Sequence, residues 1–478
     1  MLPASSPQYG QWLTGAGEPN EPQGGQPPKG AMPSRSDFNY EMKYQAAFQT
    51  ILWSMPAVGM YRFRGAARDT LKMNETDIIT YARPGTPKLE ATTGNSTTPY
   101  IGIFPDLQTG AMVLDVPAAG ADGSLYGQVT DAWQFSIADI SPAGAGAKGG
   151  KYLFTPPGYK GPIPSGYTHV ASPTYRIAIV LRSIVGQGKT VDDAYHYAQR
   201  LRMYYLKDAA SPPKQHFVHP DDQVYPTVPY FDERRFEDIY NIFTVEPVRE
   251  QDKVMMGMLA TLGIEPGKPY APDETAKRAM RQAAVDVWYY MQQWFDNYPK
   301  SELYWPDRHY ISLLMTDKNR AFTWDYNDRL DYIPRAAEYF WCTWMPKTLS
   351  DSPSTQYLMA MGDSQGNPLL AGKTYKLTVP KDMPVKQFWA LTLYDRATMA
   401  FIYSSTSRTT LSSYDQDTMK KNDDGSVSLY FGPTAPAGLE SNWIPTSGKR
   451  PLPAIRFYGP TEAMNTKAFK MPDVELVP

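Results

Sequence analysis

The chain has 478 residues, a net charge of −2 and one cysteine. This length predicts roughly two to four domains, each able to bury its own core. The near-neutral charge excludes a global field that recruits nucleic acid or an anionic membrane surface. No apolar run approaches the ~18 residues of a membrane span, so we expect none. Cys342 lies in an aromatic run, and we interpret it as a buried structural thiol.

Proline and glycine dominate residues 1–35, which contain seven Pro and six Gly. Such a segment buries too little apolar surface to offset its ordering entropy, which predicts a flexible N-terminal arm. Residues 36–58 carry apolar side chains at helical spacing and predict an N-terminal helix. We expect Pro56 to end this helix, because proline cannot donate the backbone hydrogen bond of a helix interior.

Short apolar runs separated by Gly and Pro turns fill residues 59–215. In one of these runs Ile177, Ile179 and Leu181 alternate with their neighbours at the spacing of a strand. The number and spacing of such runs predict a β-sandwich. A capping box at 190–193 opens a closing helix, which we expect to extend to about residue 206.

Helical signals dominate residues 216–348. Asp232, Asp252 and Asp273 each precede apolar residues at helical spacing, in the position of an N-cap. This pattern predicts a helical domain. Residues 349–478 return to short strands between turn residues, as in a jelly roll or sandwich.

Three long phrases of the chain are similar to a known pair of bacterial domains. GGKYLFTPPGYKGPIPSGYTHVASPTYRIAIVLRSIV, at 149–185, resembles the domain of unknown function twelve-fifty-four. KTYKLTVPKDMPVKQFWALTLYD, at 373–395, and KKNDDGSVSLYFGPTAPAGLESNWIPT, at 420–446, resemble its usual C-terminal partner, the domain of unknown function twelve-fourteen. The resemblance extends over most of residues 36–478. It implies a multidomain α and β fold with an Ig-like β-sandwich, a helical domain and a C-terminal β jelly roll.

The same resemblance implies no settled activity and no catalytic residue. Members of the family commonly carry export signals, which implies a periplasmic or secreted location, with the cytoplasm as the alternative.

Two local motifs add little chemistry. Residues 362–366 match G-x-S-x-G, but the following Asn367-Pro368 is typical of a turn rather than a nucleophile elbow. The cluster at 216–222 holds two His and two Asp among prolines, which favours a solvated linker over a metal loop.

The candidate site centres on Asn442 and Trp443. In this interpretation neighbouring strands present Tyr430 as a proton donor and Arg456 as an anion clamp, in an interdomain groove. Substrate binding is assigned to four residues: Asn442, Trp443, Trp389 and Arg176. The structural alternative is that Trp443 plugs the core, because an aromatic side chain buries ~150–250 Å².

Two functions of different classes fit these residues. The first is an enzyme without a redox cofactor, a hydrolase or lyase that acts on a small or oligomeric organic substrate. The alternative is a non-catalytic extracytoplasmic binding or assembly protein, which the lack of a complete catalytic motif favours. Either function predicts an organic ligand rather than nucleic acid. We assign no metal ligand, and the cofactor and a homo-oligomeric state stay open.

Overall fold

The computed structural model describes residues 25, 27, 31, 33–81, 86–97, 99–141, 144–184, 188–220, 223–349, 354–404, 406 and 408–478. These residues form a mixed α and β protein with several open sheets. The general class is therefore as expected, whereas the labels Ig-like sandwich and jelly roll stay predictions. Nearly all of the predicted N-terminal arm lies outside the described residues.

Seven α-helices lie within the described part of the chain. They are α1 (Phe38–Asp69), α2 (Val191–Ala198), α3 (Arg234–Phe243), α4 (Lys253–Thr261), α5 (Glu274–Asp296), α6 (Tyr332–Trp341) and α7 (Glu462–Asn465). None of these helices is both long and apolar enough to cross a membrane.

Helix α1 does not end at Pro56, and that expectation was wrong. The helix continues through the proline to Asp69. Beyond Pro56 it buries Met60 and Phe63 in a shared apolar cluster, and Gln134 donates a hydrogen bond of 2.8 Å to the Pro56 carbonyl oxygen. Burial of this half outweighs the ~3 kcal/mol that a proline costs inside a helix.

The N-terminal strands form two larger sheets and a two-stranded one. The strands are β1 (Ile78–Thr80), β2 (Leu89–Glu90), β3 (Tyr100–Ile103), β4 (Met112–Val116), β5 (Leu125–Thr130), β6 (Ser136–Ile140), β7 (Gly150–Thr155), β8 (Tyr167–Ala171), β9 (Ala178–Ser183), β10 (Arg202–Tyr205), β11 (Phe217–Val218) and β12 (Tyr225–Pro226). Their orders are β11-β1-β3-β9-β5-β6, β10-β4-β7-β8 and β12-β2. The two larger sheets contribute side chains to one apolar core.

Strand β10 corrects a second expectation. The predicted capping box opens α2 at Thr190, but the helix ends at Ala198 instead of near residue 206. The chain then pairs with β4 as an antiparallel strand. Met203 and Tyr204 are both buried, on opposite faces of that strand, so the paired strand buries apolar side chains on both of its faces.

The C-terminal strands form a five-stranded and a four-stranded sheet. The strands are β13 (Tyr310–Ser312), β14 (Thr355–Ala360), β15 (Tyr375–Val379), β16 (Val385–Asp395), β17 (Thr410–Ser412), β18 (Val427–Gly432), β19 (Trp443–Pro445), β20 (Pro451–Pro460) and β21 (Glu475–Leu476). The orders are β13-β14-β20-β16-β17 and β19-β18-β15-β21. A second apolar core contains side chains of both sheets.

The chain divides into two compact units. The first comprises residues 1–53, 230–244 and 248–289, and the second comprises 54–229, 245–247 and 290–478. In the first unit Asp252 does not cap α4 as expected. Its carboxylate accepts hydrogen bonds from Arg249 and from the indole of Trp53 instead. The predicted five-part domain division stays a prediction, and the site described next lies in the second unit.

Candidate functional site

Strand β20 places Arg456 on the face of its sheet that points away from the C-terminal core. Its neighbours Ile455 and Phe457 belong to that core, and successive side chains of a strand point to opposite faces. Tyr357 on β14 and Ala390 on β16 lie directly opposite Arg456. The small alanine leaves room on one side, and the tyrosine ring packs on the other.

Arg456 is a buried cation, with 1% of its surface exposed. One guanidinium nitrogen, Nη2, donates to the carbonyl oxygens of Thr93 and Gly94 at 3.0 Å each and to the Tyr394 hydroxyl. The guanidinium carbon lies 4.6 Å from the centre of the Tyr357 ring. Within the described residues no carboxylate lies within salt-bridge distance of Arg456. A buried charge without a counter-ion is costly, so an anion is favoured nearby.

Arg182 brings a second cation to the same place. Strand β9 lies between β3 and β5, so Tyr100 and Tyr126 are the direct cross-strand neighbours of Arg182. Its guanidinium carbon lies 5.1 Å from the Tyr100 ring centre and 5.7 Å from that of Tyr126. Nη1 donates a 3.0 Å hydrogen bond to the Tyr126 hydroxyl. This arginine also has no carboxylate partner among the residues that the structure describes, and it is only partly buried.

Tyr357 lies between the two arginines. Burial alone would raise the pKa of its hydroxyl, but the positive charges of Arg182 and Arg456 outweigh burial and lower the pKa to about 8. The hydroxyl lies beside Arg182 and Thr355, and both neighbours favour its ionised form. Tyr357 therefore loses its proton at a lower pH than an ordinary tyrosine.

These side chains line a cavity of about 260 Å³. Arg182 and Arg456 contribute the charged groups to its wall, and Tyr357, Tyr100 and Tyr126 contribute phenols. The lining contains no aspartate, glutamate or histidine among the described residues. Its positive charge is therefore not balanced from within the wall, and the cavity suits an organic anion.

Two lining residues have a strained backbone. Thr93 has a φ of 43° and Trp344 a φ of 61°, and both line the cavity. The left-handed region is unfavourable for a β-branched or bulky residue, at a cost of ~1–3 kcal/mol each. Strained residues cluster at functional sites, and Thr93 here presents its carbonyl oxygen to Arg456.

Cys342 also lines the cavity. Burial raises the pKa of its thiol well above the usual range, and Sγ lies 2.7 Å from the Thr93 hydroxyl oxygen. A neutral buried thiol is a poor nucleophile. The interpretation of Cys342 as a structural thiol is consistent with this environment.

Three of the sequence-predicted residues, Asn442, Trp443 and Tyr430, lie together, and none of them lines the cavity. Asn442 is buried, and its amide bonds the Lys420 backbone and the Ser428 carbonyl oxygen. Trp443 lies opposite Tyr430 on a parallel strand and donates its indole N–H to a backbone carbonyl. These contacts join β18, β19 and the preceding turn. Trp443 is partly buried, and both interpretations of this cluster, the ligand site and the core plug, stay predictions.

The other predicted residues lie elsewhere. Trp389 faces the C-terminal core, so the sheet separates it from Arg456 on the opposite face. Arg176 pairs with Asp106 at 3.3 Å, and its backbone N–H donates to Glu246. Only Arg456 lies at the cavity. The roles assigned to the other residues from sequence stay predictions.

The two motifs found in the sequence are also separate from the cavity. Residues 362–366 form a turn between β14 and β15, with the Asp363 carboxylate accepting backbone N–H groups at 2.9 Å. His219 contacts Thr80 and Tyr195, whereas residues 221 and 222 lie outside the described part of the chain. No group of three or more metal-ligating side chains occurs within the described residues.

Two family profiles match the chain. The first, Protein of unknown function (DUF1254), covers residues 73–205, and the second, Protein of unknown function (DUF1214), covers residues 354–462. The chain pairs a DUF1254 region with a DUF1214 region. Tyr100, Tyr126 and Arg182 of the cavity belong to the DUF1254 region, and Tyr357 and Arg456 belong to the DUF1214 region. The cavity is therefore assembled from both regions.

Two solved structures resemble the chain. One is the VPA0106 protein from Vibrio parahaemolyticus, with a TM-score of 0.51 and 17% identity, covering 91% of this chain and 100% of that one. The other is a putative uncharacterized protein from Burkholderia cenocepacia, with a TM-score of 0.36, 12% identity and coverage of 92% and 96%. The first supports a shared fold. No curated protein matches the chain.

Proposed function

We propose that the chain is a lyase that eliminates a leaving group from a small organic carboxylate, without a redox cofactor. The observation that carries this proposal is Tyr357, an ionisable phenol placed between two arginines that have no carboxylate partner among the described residues. The sequence predicted a hydrolase or a lyase, and a lyase is the reaction class proposed here. Tyr357 takes the proton-transfer role that the sequence analysis assigned to Tyr430.

Arg182 supplies the binding group for the substrate carboxylate. It is partly exposed to the cavity and carries guanidinium N–H groups in the planar arrangement that matches a carboxylate. Arg456 is more buried. Its guanidinium lies over the Tyr357 ring, and its positive charge lowers the pKa of the Tyr357 hydroxyl. Together the two cations neutralise the carboxylate, which acidifies the C–H bond next to it.

Tyr357 then performs the proton transfers. Its phenolate oxygen takes the proton from the carbon beside the carboxylate, and the electron pair of that C–H bond forms a carbon–carbon double bond. The bond between the next carbon and its oxygen leaving group breaks. The leaving oxygen takes the proton back from the Tyr357 hydroxyl, so the phenolate is restored and no electron is gained or lost.

The test is a panel of 3-oxygenated acids, namely malate, 3-hydroxybutyrate and 3-acetoxybutyrate, with formation of the unsaturated acid followed by ultraviolet absorbance. We expect Tyr357→Phe to lower the rate ~10²–10⁴-fold, the usual contribution of general acid–base catalysis. The melting temperature should stay near that of the wild type, because only one hydroxyl is removed. Tyr414→Phe is the matched control, since Tyr414 is 72% exposed.

Full activity of Tyr357→Phe would overturn the catalytic role. The second candidate function is non-catalytic binding of an anion. The two arginines in one cavity favour it, because they attract an anion whether or not a reaction follows. Saturable binding of these acids with no product from the wild type would favour the non-catalytic binding protein over the lyase. A periplasmic location stays a prediction from the family resemblance.

A further inference from the structure

A smaller, apolar pocket adjoins the charged cavity. Its volume is about 70 Å³, and most of its wall is aliphatic or aromatic. The apolar lining includes Phe63, Ile79, Leu89, Phe104 and Tyr225. An apolar recess beside a charged one fits a ligand with two chemically different ends.

The two cavities have a common wall, because Thr93, Asn95, Tyr100, Val180, Thr343 and Trp344 line both. Asn95 is 3% exposed, and its Nδ2 is buried without an acceptor among the described residues. The indole nitrogen of Trp344 is also buried without one. Buried donors are nearly always satisfied in native proteins. These two donors are therefore available to an acceptor oxygen on a ligand bound at this wall.

We infer that the substrate is an amphipathic carboxylate with a short apolar end. The carboxylate binds at Arg182, a hydrogen-bond acceptor group lies near Asn95 and Trp344, and the apolar end fills the smaller pocket. This inference rests on the proposed function of the charged cavity and adds the substrate class. The pocket has roughly half the volume of an apolar cavity of ~150 Å³ that holds benzene, so about three or four carbon atoms fill it.

The test is calorimetric titration of the whole chain with acetate, butyrate and hexanoate. Burial of each methylene tightens binding about fourfold. We expect affinity to rise along this series and to level off with still longer acids, once the pocket is full. Arg182→Met should abolish binding of all three acids.

Variants that fill the pocket separate its contribution from that of the arginines. Ala91 lines the apolar pocket and is 6% exposed, so Ala91→Leu should lower hexanoate affinity at least tenfold and leave acetate affinity unchanged. Gly102→Ala is a milder change, because the new methyl carbon would lie 3.5 Å from Phe104, an ordinary contact. Ala260→Leu, at an exposed position of α4, is the matched control.

The outcomes distinguish this inference from the proposed function. Equal affinities for acetate, butyrate and hexanoate, all lost in Arg182→Met, would overturn the apolar end and leave the charged cavity in place. Equal loss of acetate and hexanoate binding in folded Ala91→Leu would do the same. Absence of any binding, or binding that Arg182→Met does not change, would overturn the proposed function itself.

Discussion

Tyr357 carries the proposed chemistry, and its ionisation is measurable without a substrate. Because the charges of Arg182 and Arg456 lower its pKa to about 8, we expect one tyrosine to ionise about two pH units before an ordinary tyrosine, near 10. Ultraviolet difference titration of tyrosinate should show this early step in the wild type. Tyr357→Phe should lack it, and Arg182→Met should move it to higher pH.

The catalytic rate should depend on pH in the same direction as the ionisation of Tyr357. If the phenolate is the base, the rate should rise with pH and level off above about 8. An ultraviolet titration in which no tyrosine ionises below pH 9 would contradict the arrangement, whatever the activity. Tyr414→Phe again serves as the control, since removal of an exposed phenol should leave the early step unchanged.

The sequence could not single out Tyr357 or Arg182 at the residue scale. Tyr357 is one of 34 tyrosines, and what distinguishes it is the charge of an arginine 175 positions earlier in the chain. Arg456 was predicted as an anion-binding residue, and in the structure its cross-strand neighbours are Tyr357 and Ala390. Asn442 and Trp443 are close to it in sequence and face elsewhere, because sheet pairing rather than sequence distance decides which side chains meet.

At the scale of elements, the alternation of apolar and polar residues predicted several strands well. The alternating run that contains Ile179 and Leu181 forms β9. Errors arose where tertiary packing overrode local signals, as in β10 and in the second half of α1. Both faces of β20 are buried. The order of apolar and polar residues therefore does not reveal which face packs in the C-terminal core and which face lines the cavity.

The segment 245–247 makes a pH-dependent contact with the loop before β9. Glu246 accepts N–H hydrogen bonds from Tyr175 and Arg176 at 2.7 and 3.0 Å, and burial raises the pKa of its carboxyl from 4.5 to about 7. The folded state therefore binds the proton more tightly than the unfolded chain. Stability from this group is fully present below pH 4.5 and is lost as the pH rises through 7.

We expect the wild type to lose on the order of 3 kcal/mol more unfolding free energy than Glu246→Gln between pH 4.5 and 8, because glutamine does not titrate. Urea unfolding at several pH values measures this difference. Glu302→Gln, at an exposed position, should follow the wild type. Parallel pH curves for the wild type and Glu246→Gln would show that Glu246 is not the titrating group.

At the scale of the whole molecule, the DUF1254 and DUF1214 regions share one compact unit. Contacts between them include the hydrogen bonds from Arg456 to Thr93 and Gly94 and one of 2.7 Å between the hydroxyls of Thr97 and Tyr458. The partners are more than 350 positions apart in the chain. The resemblance implied the two regions, and the structure adds that the cavity needs both.

This arrangement predicts that the two regions unfold together. Leu114 belongs to the DUF1254 region and Leu429 to the DUF1214 region, and both are completely buried. Leu114→Ala and Leu429→Ala should each cost about 2–5 kcal/mol and lower the midpoint of the same calorimetric transition. Two transitions, each moved by only one variant, would show that the regions are independent. A cavity built from both would then lack the shared rigidity that holds Tyr357 between Arg182 and Arg456.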